Sequence, residues 1–153
     1  MTKVELNSTL VERSMFMEYI NRSVEDIVMK SSTAFKSVLV TGARQTGKST
    51  LLKNMFPHVK FVTFDDPFIE DQAKNNPEMF MMLNEPPLFL DEIQYVPSLF
   101  RYIKMACDSS NLRGQFFLSG SQPFKLMDMV SDSMAGRIAI IELAPLSLRE
   151  LMN

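Results

Sequence analysis

Short apolar runs alternate with helically spaced apolar residues along most of the chain. Val38-Leu-Val-Thr41, Phe61-Val-Thr-Phe64, Leu88-Phe-Leu90, Phe116-Phe-Leu118 and Ile138 to Leu143 are apolar throughout, the pattern of strands buried on both faces. Helical spacing fills the gaps. One segment runs from about Lys48 to Phe56 and stops at Pro57. Another opens at Asp66-Pro67, an N-cap followed by proline at the first helical position, continues through Met79 to Leu83 and stops at Pro86-Pro87. A third follows Pro97 and carries Leu99, Phe100, Ile103, Ala106 and Cys107, and a shorter one carries Phe124, Leu126, Met127 and Val130. Strands separated by helices of about 10 to 15 residues predict an α/β fold, a three-layer α/β/α sandwich around a mainly parallel five-stranded sheet. Right-handed crossovers then bring the carboxyl ends of the strands to one edge, where chemistry is expected.

Ahead of the first strand, Thr9-Leu-Val-Glu12 has the form of a capping box, and Phe16, Tyr19, Ile20, Val24, Ile27 and Val28 recur at helical spacing. Residues 9 to 30 therefore read as an amphipathic helix with a break point near Asn21, and Ser31-Ser32-Thr33 as a loop. This divides the chain into an N-terminal helical segment, 1–35, packed on a core domain, 36–153. Pro145-Leu-Ser-Leu-Arg-Glu-Leu151 opens a further helical element that is still unfinished at Asn153, so a longer natural protein is expected.

Composition narrows the classes. A chain of 153 residues that is 46% hydrophobic and 22% charged has the apolar surface for one folded domain and is not a disordered segment. Sixteen basic against eighteen acidic residues give a net charge of -2, which does not suggest a dedicated nucleic-acid binder but leaves room for a local basic patch. The single cysteine, Cys107, cannot form an internal disulfide. Lys3, Glu5, Glu12, Arg13 and Glu18 interrupt any signal-peptide core, and no apolar run approaches the roughly 20 residues of a membrane span. A cytoplasmic location with no membrane partner is the expectation.

Gly42-Ala43-Arg44-Gln45-Thr46-Gly47-Lys48-Ser49 fits the phosphate-binding loop G-x-x-x-x-G-K-[ST], and the site is expected to extend to Thr50. Glycines let the backbone close around an anion with its N–H groups inward, and the helix behind adds partial positive charge. Lys48 is expected on the β- and γ-phosphates and the Ser49 hydroxyl on Mg²⁺. The loop follows an apolar strand and opens a helix, as that chemistry requires.

Leu88-Phe-Leu-Asp91-Glu92 places two carboxylates at a strand's carboxyl end, the Walker B form. Asp91 is expected to support the metal and Glu92 to act as general base toward water. Ser119, closing the fourth strand, is the candidate polar sensor, whereas Ser121 reads as a helix cap. Arg137 in Ala-Gly-Arg is a candidate for stabilising transition-state charge, in cis or from a neighbouring subunit, and Arg44 for touching phosphate or a partner. Met79, Met81 and Met82 read as core filler, His58 as an isolated side chain, Cys107 as buried and inert, and Asp65-Asp66 as a helix cap with a solvated neighbour.

Taken together, Gly-Ala-Arg-Gln-Thr-Gly-Lys-Ser, Phe-Asp-Asp-Pro, Leu-Asp-Glu-Ile-Gln, Leu-Ser-Gly-Ser-Gln, Ala-Gly-Arg and Pro-Leu-Ser-Leu-Arg-Glu resemble the AAA-type ATP-binding domain of a widespread group of prokaryotic ATPases. The resemblance covers essentially the whole chain. It implies sheet order 5-1-4-3-2, ATP and Mg²⁺ as ligands, the roles given above for Lys48, Ser49, Asp91, Glu92 and Ser119, and a further C-terminal domain. Where the wider class often has Asn or Thr at the sensor position, this chain has serine. ATP hydrolysis coupled to that domain or to a macromolecular partner is the leading expectation, and a nucleotide-controlled interaction module the alternative. A small-molecule kinase would need a lid with clustered arginines, absent between residues 95 and 135, and a GTPase an Asn-Lys-x-Asp segment, also absent.

Overall fold

A computed structural model describes residues 19–152. Five parallel strands, β1 (Ser37–Thr41), β2 (Lys60–Thr63), β3 (Leu88–Asp91), β4 (Phe116–Gly120) and β5 (Ile138–Glu142), form one sheet in the order β2-β3-β4-β1-β5, the expected 5-1-4-3-2 read from the other side. The three central strands β1, β3 and β4 are buried along their whole length, whereas the edge strands β2 and β5 are partly exposed.

Period-two alternation sends each strand's side chains to two cores. On one side Leu39, Leu88, Leu90, Phe116 and Leu118 pack with Leu99, Ile103, Leu126 and Val130. These come from α5 (Leu99–Ser109) and α6 (Pro123–Ser133), while α3 (Pro67–Asn75) and α4 (Pro77–Leu83) add Ala73 and Phe80. On the other side Val38, Val40, Phe89 and Phe117 meet Val28 of α1 (Glu25–Ala34) and Leu51 and Leu52 of α2 (Lys48–Met55). Truncating a fully buried leucine such as Leu118 to alanine is expected to cost about 2–5 kcal/mol.

Four local expectations are corrected. Residues 19–24 are not helical, and α1 runs from Glu25 to Ala34. Glu25 ends the non-helical stretch because its carboxylate accepts from the Arg22 backbone N–H at 2.7 Å and from the Tyr19 hydroxyl at 2.7 Å. Ser31-Ser32-Thr33 continues that helix rather than looping, since the Ser32 and Thr33 hydroxyls donate back to the carbonyls of Met29 and Lys30. The Thr9–Glu12 box and the rest of the segment before residue 19 lie outside the described residues. The stretch from Asp66 to Leu83 is two helices: Asn76 closes α3 through its backbone N–H and opens α4 by accepting from Met79 N–H. Asp66 caps α3 as expected, accepting from Phe68 N–H at 2.9 Å. Met79 and Met82 are exposed rather than core filler, while Cys107 is buried.

After Glu142, the short helix α7 (Leu148–Leu151) is opened by a reciprocal capping box of Ser147 and Glu150. No helix among the described residues is long and apolar enough to cross a membrane.

Candidate functional site

Thr41, Thr63, Asp91, Gly120 and Glu142 end the five parallel strands, so the segments that follow them meet at one edge. The loop after β1 turns tightly. Gly47 sits at φ 90°, in the left-handed region where a Cβ is strained, and it caps α2. The first-turn N–H groups of α2 have no partner within the helix and carry its positive end toward the loop.

Lys48 is the first residue of that helix and is 4% exposed. Its ammonium donates to the carbonyls of Gly42 at 3.1 Å and Ala43 at 2.7 Å. Burial holds it below its ordinary pKa, opposed by the carboxylates of Glu92 and Asp91. The Thr46 hydroxyl braces the turn by donating to Ala43 O. A buried cation at a positive helix end is an unfavourable arrangement until an anion joins it.

Opposite lies Asp91. Its Oδ1 accepts from Ser49 Oγ at 2.6 Å and from Ser119 Oγ, and its Oδ2 from Thr63 Oγ1 at 3.3 Å. Four oxygen-bearing side chains from α2, β2, β3 and β4 thus converge. Hard oxygen donors, with one carboxylate among them, suit Mg²⁺, which keeps waters and substrate phosphates in its shell rather than an all-protein cage. Among the described residues there is no group of three or more His, Cys, Asp or Glu arranged to hold a metal.

Glu92 follows at φ 56° and ψ 47° and lines a polar hollow of about 300 Å³ with Arg44, Gln45, Asp65 and Tyr95. Burial raises the Asp65 carboxyl above its usual range, with Glu92 and Asp91 adding to the effect and Arg44 opposing it. Asp65 is exposed, as expected for a solvated neighbour of the Asp66 cap, and it also lines this hollow. Arg44 turns to the Tyr95 hydroxyl, 3.3 Å away. On the far side of Gly47 a second cleft of about 290 Å³ is bounded by Tyr19, Ile20, Thr50, Pro145 and Leu146. A further hollow of about 580 Å³, against α3 and α4, contains none of these residues.

The structure thus brings together Gly42 to Thr50, Asp91, Glu92 and Ser119. It does not bring Arg137 to them. Arg137 precedes β5, its carbonyl accepts from Ser37 N–H at the start of β1, and its guanidinium grips Asp108 through two contacts of 2.5 and 3.1 Å at the opposite edge of the sheet. A role for it in cis is corrected on that ground. Ser121 does not cap α6: its hydroxyl and N–H both donate to Glu92.

Residue-level reading missed Thr63, Gln94 and Arg22. Thr63 could have been found from the register, since it pairs with Asp91 across β2 and β3. The buried Arg22 donates to Thr46 O at 2.8 Å and Ala144 O at 2.6 Å and pairs with Glu150 at 3.3 Å, tying the phosphate-type loop to the segment after β5. Backbone and hydroxyl donors of Ser147 and Ser23 hold Glu150 well below the usual carboxylate range. Arg22 stands 122 and 128 positions from Ala144 and Glu150, beyond the reach of any local signal.

Comparison with known proteins agrees with this fold. Two uncharacterized proteins, one from Mycobacterium bovis and one from Mycobacterium tuberculosis, are each 31% identical to the chain over 115 residues, 74% of this chain. The chain spans about a quarter of their length, 26%. The Walker-type ATPase of Pyrococcus abyssi superposes with a TM-score of 0.58 at 17% identity, over 86% of this chain and 55% of that one, a likeness of fold. The pattern that defines the AAA domain family matches residues 34–152, and the chain accordingly belongs to that family as an AAA-type P-loop domain.

Proposed function

We propose that this domain binds ATP with Mg²⁺ and hydrolyses it, and that in a longer protein the cycle drives a C-terminal domain or a macromolecular partner. The observation that carries the reading is the pairing of Ser49 with Asp91 at 2.6 Å directly across from a lysine buried in the glycine-containing loop. Lys48 exchanges the carbonyls of Gly42 and Ala43 for phosphate oxygens, and the loop N–H groups bind the same anion. Ser49 and Asp91 hold the Mg²⁺, which supplies charge neutralisation on the phosphates. Glu92 takes the proton of the attacking water, and Ser119 fixes the Asp91 carboxylate. Arg44 is the cation of this chain nearest to that hollow, and Arg137 serves phosphate only in a second copy. The cleft beside Gly47 and Thr50 accepts the base between Tyr19 and Ile20 on one side and Pro145 and Leu146 on the other.

Glu92→Gln tests the assignment. It is expected to bind ATP with unchanged affinity and to hydrolyse it about 10²- to 10⁴-fold more slowly, the range that a general base contributes. Equal turnover by the wild type and the variant would remove Glu92 as base. The link to a longer protein draws support from the mycobacterial relatives, of which the matched residues cover only 26%, and from the Arg22–Glu150 connection to the segment beyond β5.

A further inference from the structure

Glu92 stands where a glycine would be comfortable. At φ 56° and ψ 47° a side chain is strained, and such strain persists only where neighbours fix it. Here they do. The 3₁₀ turn Ile93–Tyr95 folds Gln94 back beneath Glu92, where it is 1% exposed, and its Nε2 donates to Glu92 Oε2 and approaches Ser121 Oγ at 3.3 Å. Ser121 donates to the same Oε2 from Oγ at 2.8 Å and from N–H at 3.2 Å. Three donors thus fall on one carboxylate oxygen, and among the described residues none falls on Oε1.

Gln94 Oε1 is buried without a hydrogen-bond partner, an unfavourable placement that the surrounding contacts must hold. It lies against Gly120, where an added Cβ would come within 2.7 Å of it and would also strike Leu126. The amide cannot turn over, because its oxygen would then face the carboxylate. The absence of a side chain at Gly120 is what admits the amide at all.

We infer that Gln94 and Ser121 are positioning residues that lock Glu92 Oε2 and leave Oε1 as the oxygen presented to the hollow shared with Arg44 and Asp65. Neither residue lines that hollow. The inference rests on Glu92 being the base, as proposed above, and the tests separate the two.

Steady-state MgATP hydrolysis by Ser121→Ala and Gln94→Ala is expected to show kcat lower by about 10- to 100-fold, the scale of a reacting group displaced by about an ångström, with KM nearly unchanged. Ser121→Thr, which keeps the hydroxyl, is expected to recover most of the rate lost in Ser121→Ala. In a Glu92→Gln background Ser121→Ala is expected to have no further effect, because its only target is gone. A wild-type kcat in both single variants, or a full additional loss in the Glu92→Gln background, would overturn the inference. If Glu92→Gln itself turns over like the wild type, the base assignment fails instead.

A readout without turnover stands beside these. The Gln94 side-chain NH₂ resonances, assigned by their loss in Gln94→Ala, are expected to be protected from solvent exchange and to shift in Glu92→Gln. Rapidly exchanging resonances that ignore Glu92→Gln would overturn the lock whatever the activity.

Discussion

Two lysines with nearly the same partners mark the two edges of the sheet. Lys36 donates to the carbonyls of Cys107 and Ser110 at 2.5 and 2.7 Å, and Lys48 to those of Gly42 and Ala43 at 3.1 and 2.7 Å. Lys36 closes the C-terminal end of α5, where carbonyls and dipole both favour a cation. Lys48 opens the N-terminal end of α2, where the dipole opposes one and burial drives its pKa down. The arginines repeat the contrast: Arg137 is matched by Asp108 at the lower edge, while Arg44 at the upper edge has the neutral Tyr95 hydroxyl. Equal hydrogen-bond counts thus conceal opposite electrostatics, and only the upper edge is built for a polyanion.

The widest separation between the edges is expected from Lys48→Met. Losing a charged phosphate ligand is expected to weaken MgATP binding by about 100-fold or more, as charge-assisted hydrogen bonds contribute about 1.5–3 kcal/mol each and Lys48 serves two phosphates. Its stability without nucleotide is expected to be equal to or above that of the wild type. The sign follows from the shift: a lysine whose folded pKa is lowered opposes folding while it is charged, and methionine removes that opposition. Thermal melts with and without MgATP check both parts. Lys36→Met inverts the pattern, with about 1–2 kcal/mol of stability lost in urea titration and MgATP affinity kept.

How much of this was legible in the sequence depended on distance along the chain. Gly42 to Ser49 and Asp91-Glu92 were readable as candidates because each group lies within a few residues of a strand end. The parallel order followed from the resemblance and from five apolar runs. The partners of Glu92 were not readable, because Ser121 before a proline-started helix looks like a cap, and only the pairing of β3 beside β4 brings it to Glu92. Helix α1 was misplaced because hydroxyl residues usually leave helices, and here Ser32 and Thr33 bond backward within one. Arg137 was plausible near phosphate until the start of β5 placed it at the wrong end of a parallel strand.

A smaller effect sharpens the link between the edge and α7. The Glu150 carboxyl is lowered in the folded state, so its stabilising contribution is fully present above its ordinary value of 4.5 and is lost as pH falls below that toward the folded value. The stability difference between the wild type and Glu150→Gln is expected to be constant from neutral pH down to about 4.5 and to narrow below it. A gap that stays constant below that pH would show that hydrogen bonds to a neutral side chain suffice. The smallest effect is expected from Arg137→Ala: its pair with Asp108 is exposed, so the melting temperature moves slightly and MgATP affinity not at all.

The most direct test is amide chemical-shift mapping of the wild type on adding Mg²⁺ with a non-hydrolysable ATP analogue. The largest shifts are expected at Gly42 through Thr50 and at Asp91, with Lys36 and Arg137 unmoved. Saturating analogue that leaves the Gly42–Thr50 amides unshifted, or that shifts only the hollow against α3 and α4, would contradict the account.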